Sequence, residues 1–128
     1  MGNILVLDDI ADAGLMVKRL LERKGHQVAV FTEEEEALAY LRTNLVEVAI
    51  LDIRLKKMSG VEMLEEIRKI SPSTRVLMLT GYPTLETARR SQELGAFEGA
   101  FDYCIKPIDK EELEEKVASA LKARQETG

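Results

Sequence analysis

The sequence predicts an α/β protein: one doubly wound, five-stranded parallel sheet flanked by five helices. Three observations lead there. Short, near-continuous apolar runs of strand length alternate with longer amphipathic stretches, and strands buried on both faces have that appearance. Each run is followed by a helical pattern, so right-handed crossovers place helices on both sides of a parallel sheet. The runs also end in residues that carry chemistry: Asp8-Asp9, Asp52, Thr80 and Lys106. In such sheets ligands bind beyond the carboxyl ends of the strands.

The elements follow in order. Ile4–Leu7 is an apolar strand ending in Asp8-Asp9. From Ala11 to Lys24, the spacing of Leu15, Lys18-Arg19, Leu21 and Glu22 fits a helix with one apolar face, stopped by Gly25. His26 follows that stop and is expected to be exposed. Gln27–Phe31 is a second strand. Thr32 is placed to cap a helix over Glu33–Thr43, whose acidic first turn suits the helix dipole and reads as solvated. Val46–Leu51, the most apolar strand, ends at Asp52. Val61–Ile70 is helical, with Ser59-Gly60 before it and Pro72 after. Arg75–Leu79 is a fourth strand ending at Thr80-Gly81. Pro83-Thr84 opens a helix reaching at least Leu94. Phe101–Ile105 is a fifth strand followed by Lys106-Pro107. A final helix runs from Asp109 to about Arg124, with Leu113, Val117, Ala120 and Leu121 on one face.

Composition narrows the function classes. At 128 residues the chain suits one domain, residues 1–128, with a real core. The formal charge of -5 argues against direct binding to nucleic acid or to an anionic membrane. The single cysteine, Cys104, excludes an internal disulfide and fits a reducing compartment. No apolar run approaches the roughly 18 residues of a membrane span. The strand-like start leaves no room for a signal peptide, so a cytoplasmic protein is expected.

The strand ends form the candidate site. Alone, Asp8-Asp9 or Asp52 reads as a cap or turn, Thr80 as a turn residue and Lys106 as a solvated charge. Together they point to function. Carboxylates gathered within a few ångströms repel, a pair at 4 Å costing about 4 kcal/mol at an effective dielectric of 20. Such a cluster wants a cation, and hard oxygen ligands completed by water suit Mg²⁺, with Mn²⁺ as the alternative. Lys106 offers a point charge and Thr80 a hydroxyl donor. A carboxylate with these neighbours is set up to accept a phosphoryl group, because that transfer needs mostly positioning and charge neutralisation.

Four segments carry a resemblance that spans essentially the whole chain: ILVLDD at Ile4–Asp9, ILDIRLKKMSG at Ile50–Gly60, VLMLTGY at Val76–Tyr82 and DYCIKP at Asp102–Pro107. The chain resembles the receiver domains of two-component response regulators. The resemblance implies a flavodoxin-like fold with strand order 2-1-3-4-5, an order that comes with the family rather than from the residues. It implies Asp52 as phosphoacceptor, with Asp9 on the metal directly, Asp8 mainly through water, and the backbone carbonyl of Arg54 completing the protein ligands beside Asp52. Thr80 would contact the phosphoryl group and Lys106 would pair with it. Tyr103 would be the switch aromatic, and the Lys106–Pro107 bond would be cis. The implied donor is a phosphohistidine on a sensor histidine kinase or phosphotransfer protein. The domain would supply the catalytic groups itself and promote hydrolysis of its own aspartyl phosphate. The implied output is a changed surface on the helix after Thr80, the fifth strand and the final helix, presented to an output domain, a partner protein or a second copy of the chain.

Two features depart from the family pattern. Lys56 stands where many members have proline, with Lys57 beside it. The second is a stutter: Gly95-Ala96-Phe97-Glu98 is followed at once by Gly99-Ala100-Phe101-Asp102. Thr80 and Lys106 are therefore about four residues, roughly one helical turn, further apart than is usual. The extra segment over Gly95, Ala96, Phe97, Glu98 and Gly99 reads either as a surface loop, which costs little entropy, or as a longer helix whose cap moves from Gly95 to Gly99. Two other functions are weighed. The intact acidic set with Thr80 and Lys106 argues against a permanently unphosphorylated interaction domain. A Mg²⁺-dependent phosphohydrolase usually carries Asp-x-Asp after its first strand, whereas Ile10 and Ala11 follow Asp8-Asp9 here.

Overall fold

The computed structural model describes residues 2–52, 60–80, 100–105 and 109–127. Within them lie β1 (Asn3–Leu7), α1 (Ala11–Glu22), β2 (Gln27–Phe31), α2 (Glu34–Thr43), β3 (Val48–Asp52), α3 (Gly60–Ile70), β4 (Arg75–Thr80), β5 (Ala100–Ile105) and a final helix (Lys110–Thr127). The strands form one sheet in the order β2-β1-β3-β4-β5, every neighbouring pair parallel. The helix expected from Pro83 to Leu94 and the repeat at Gly95–Gly99 lie outside the described residues.

Side-chain alternation builds two cores from the central strands, because successive residues face opposite sides. Ile4 and Val6 of β1, Val48 and Ile50 of β3, and Leu77 and Leu79 of β4 join Val17 and Leu21 of α1. The final helix covers the same face with Leu113, Val117, Ala120 and Leu121, the four inward positions its periodicity predicts. The intervening residues Leu5, Leu7, Ala49, Leu51, Val76 and Met78 meet Ala37, Leu38 and Leu41 of α2 and Met63, Leu64 and Ile67 of α3. Helices on both faces explain why these strands carry no polar alternation.

Local signals set the element ends. After α1 the chain turns at Gly25, whose φ of 89° lies in the region only glycine enters without cost. Asp109 starts the final helix: its Oδ1 accepts the amide of Glu112 at 3.1 Å, an N-cap bond. Pairing of β4 with β5 shifts by one residue, from Val76 opposite Ala100 to Leu77 opposite Asp102, so Phe101 is the extra residue of a bulge.

Five expectations need correction. Leu15 does not belong to the inward face of α1; it is 42% exposed, and Gly14, Val17 and Leu21 are buried instead. Thr32 does not cap α2: Glu33 is the N-cap residue and makes no side-chain cap hydrogen bond. The acidic start of α2 is not uniformly solvated, since Glu34 is fully buried. His26 is half-buried rather than exposed, and its Nδ1 accepts the Gly2 amide at 3.1 Å. The third strand also enters the ladder at Val48, two residues after Val46. Val46 is nevertheless buried, and its carbonyl accepts the Thr74 hydroxyl at 2.7 Å.

Candidate metal and phosphoacceptor site

Register brings the aspartates together. Leu7 of β1 pairs with Leu51 of β3, so the next residues, Asp8 just past β1 and Asp52 at the end of β3, stand side by side at the carboxyl edge of the sheet. Asp8 continues the parity of Ile4 and Val6, and Asp52 that of Val48 and Ile50, so both fall toward the α1 face. Asp9 follows in the turn before α1. Carboxylate oxygens of Asp8, Asp9 and Asp52 lie within 4.8 Å of one another. Asp8 is 1% and Asp52 7% exposed, while Asp9 is half-buried.

The turn itself is held by the cluster. Asp8 Oδ1 accepts the amide of Ile10 at 2.9 Å, and the Asp8 amide donates to the Phe31 carbonyl of β2 at 3.1 Å. The first of these is an Asx-type turn, and it fixes the backbone of the N-cap residue Ile10, which makes no side-chain cap hydrogen bond of its own. Gly14 then lets α1 lie close to the sheet. A Cβ there would stand 2.7 Å from Val30 Cγ1 and 4.0 Å from Asp8 Cβ. Sequence reasoning misses this residue because a buried glycine adds nothing to an apolar pattern.

Two nearly buried carboxylates and a third beside them repel one another in a region where water screens poorly. Their donor set is all oxygen, with the half-buried Asp9 open to solvent. That fits a hard divalent cation keeping part of its water shell, as Mg²⁺ does. The fit rests on this juxtaposition and on the type of the donors.

Of the other expected site residues, the backbone places some at this edge. Asp52 pairs with Leu79, so Thr80 ends β4 one step beyond Asp52 on the adjacent strand. Thr80 in turn pairs with Ile105 and Met78 with Tyr103. The side-chain roles expected of Thr80 and Tyr103 lie outside the described residues. So do Arg54, Lys56, Lys57, Lys106 and Pro107.

The sequence matches the profile of the response regulator receiver domain over residues 4–118. It is 33% identical over 126 residues to the transcriptional regulatory protein ZraR of Salmonella typhimurium, an alignment covering 98% of this chain and 28% of that protein. It is 32% identical to the acid tolerance regulatory protein ActR of Rhizobium meliloti, covering 87% of this chain and 55% of that one. The chain thus spans between about a quarter and a half of these relatives' length. Among solved structures, a receiver domain protein from Methanospirillum hungatei, described as CheY-like, superposes with a TM-score of 0.90 at 31% identity, covering 100% of this chain and 99% of its own. One from Clostridium thermocellum gives 0.89 at 32% identity, with both chains covered in full.

Proposed function

The chain belongs to the response regulator receiver domain family, and from that premise we propose that it is the phosphoacceptor module of a two-component system, with Asp52 as the residue modified. The observation that carries this reading is the gathering of Asp8, Asp9 and Asp52 oxygens within 4.8 Å at the strand edge where such sheets bind ligands. It is a signalling module rather than a conventional enzyme: it takes part in one transfer and one hydrolysis per signal.

In this reading an Asp52 carboxylate oxygen attacks the phosphorus of a phosphohistidine on a sensor histidine kinase or phosphotransfer protein. The P–N bond breaks, and the departing imidazole keeps the electron pair and takes up a proton. Asp8, Asp9, Asp52 and the Arg54 carbonyl would hold Mg²⁺, or Mn²⁺, which when bound offsets the negative charge brought together by the donor phosphate and the acidic cluster. Thr80 donates a hydrogen bond to a phosphoryl oxygen and Lys106 pairs with another, next to a cis Lys106–Pro107 bond. Modification exchanges one negative charge for roughly two and adds acceptor oxygens. Thr80 is drawn toward them and Tyr103 takes the space it leaves, a shift between two packings.

The changed surface comprises the helix after Pro83, β5 and the final helix. It addresses an output domain, a partner protein or a second copy of the chain, with no direct contact to nucleic acid or membrane. The Gly95–Gly99 repeat is either a neutral surface loop or an extension of the helix that enters this surface, and in the second case it would retune the signal. Residues 1–128 act as a single receiver domain in the cytoplasm. Among the described residues, no helix is long and apolar enough to cross a membrane.

The deciding experiment is incubation with Mg²⁺ and a small acyl phosphate, followed by intact-mass and peptide analysis. Gain of one phosphoryl group, mapped to Asp52 and abolished in Asp52→Asn, is the expected result. Absence of labelling would leave a permanently unmodified interaction domain. Rapid multiple turnover without accumulation would instead mark a phosphohydrolase.

A further inference from the structure

At the edge of the sheet opposite the aspartates, the first two described amides are both taken by side chains. Gly2 donates to His26 Nδ1 at 3.1 Å from the β2 side. Asn3 donates to Glu47 Oε1 at 3.1 Å from the β3 side. Backbone bonds complete the arrangement: Gln27 donates to the Gly2 carbonyl at 2.9 Å and Glu47 to the Asn3 carbonyl at 2.8 Å. The start of β1 is therefore gripped on both sides, by an imidazole on one and a carboxylate on the other.

An imidazole nitrogen that accepts an amide proton must present its lone pair. The neutral ring here carries its proton on Nε2. Once protonated it has two donors and no acceptor, so Nδ1–H would point at the Gly2 N–H. We propose that His26 is an acid-sensitive clasp: its protonation releases the Gly2 amide and loosens the start of β1, while the aspartate edge stays assembled.

The surroundings set the direction of the response. Burial is the main influence disfavouring the charged ring; the positive amino terminus adds to it, and Glu47 opposes both. His26 also borders a cleft with Lys24 in the turn after α1 and with Glu111, Glu114 and Glu115 on the final helix. Lys24 and Glu114 pair there at 3.7 Å, which ties up part of that charge. With the folded-state pKa below the ordinary 6.5, folding favours the neutral ring. Its stabilising contribution is complete above that value and is lost as pH falls through it toward the folded pKa. The clasp opens at the lower end of this window.

The test is a proton–nitrogen NMR titration of the intact chain between mildly alkaline and mildly acidic pH. The neutral ring should show the Nε2–H tautomer. The Gly2 amide should shift with the same midpoint as the His26 ring nitrogens, below 6.5, while the Leu5 and Ile50 amides in mid-strand stay put. In His26→Gln that step below 6.5 should vanish from the Gly2 amide, leaving only the separate titration of the neighbouring amino terminus. The proposal is overturned by an Nδ1–H tautomer, by a Gly2 amide indifferent to the ring's titration, or by a Gly2 step below 6.5 that survives in His26→Gln.

Discussion

Gly14 shows how a single residue positions the acidic cluster without touching its chemistry. Its missing side chain is what lets α1 close on β1 and β2, with the nearest atom to an added methyl being Val30 Cγ1 at 2.7 Å. Val30 is β-branched and stiff at χ1, so it cannot swing aside; the helix or the strand must move. Gly14→Ala should therefore destabilise the fold by about 1–3 kcal/mol, the usual range for overpacking, despite alanine's better helix propensity. Urea unfolding followed by circular dichroism measures it, and an unchanged midpoint would show that the contact relaxes freely. The same residue explains why the inward face of α1 is only partly legible in the sequence. Val17 and Leu21 carry an apolar signal, Gly14 carries none, and Leu15 offers a misleading one while standing 42% exposed. His26 escapes a sequence reading for a related reason: its acceptor role depends on a backbone amide 24 positions away, a partner that no local pattern reveals. Glu34 shows the same limit, because a charge at a helix start is ordinarily solvated, yet here it is fully buried.

Among elements, the strands are the most readable and their limits the least. β1, β3 and β4 are covered on both faces, so apolar content alone identifies them. Burial does not equal ladder pairing, however, and Val46 is the instance. It lies in the core but ahead of β3, where its carbonyl is satisfied by Thr74 rather than by a strand partner. Thr74 is itself 4% exposed and also hydrogen-bonds to the Ser71 hydroxyl, so the turn between α3 and β4 is tied to the start of β3. Thr74→Val keeps the shape and removes the donor, leaving the Val46 carbonyl buried without it. A loss of about 1–3 kcal/mol is expected for an unsatisfied buried acceptor, read as a lowered urea midpoint with an unchanged slope. The strand ends Asp8-Asp9 and Asp52 are legible as a site because parallel topology forces the carboxyl ends of neighbouring strands together. The bulge at Phe101 is not, since register is decided by the partner strand. Removing one copy of the repeat, Gly95–Glu98, leaves the sequence from Gly99 onward intact. Labelling of Asp52 should survive that deletion, while phosphorylation-dependent association should change; unchanged association would assign the repeat to a neutral surface loop.

At the scale of the whole molecule, the acidic edge is a cost that the two cores carry. Three carboxylates within 4.8 Å disfavour the folded state when no cation is present, because unfolding lets them separate. A divalent ion that binds only the folded chain reverses that balance, adding RT ln(1 + [Mg²⁺]/Kd), or about 2.7 kcal/mol at a hundredfold excess over Kd. Two opposite effects of one substitution follow. In chelator, Asp9→Asn removes a like charge without disturbing the buried core, so the thermal midpoint should rise above that of the parent. In saturating Mg²⁺ the parent should gain stability and Asp9→Asn much less, so the order of the two proteins inverts. Asp12→Asn, an exposed neighbour in the first turn of α1 outside the cluster, should follow the parent in its response to the ion. Sodium chloride at matched ionic strength should not reproduce the inversion, because diffuse screening weakens repulsion without supplying a ligand-bound state. Calorimetric or fluorescence melting of the three proteins, with and without the ion, reads all of this directly. If the midpoints of parent and Asp9→Asn move in parallel on adding Mg²⁺, the cluster does not hold the ion, and the charge arrangement at the sheet edge needs another explanation.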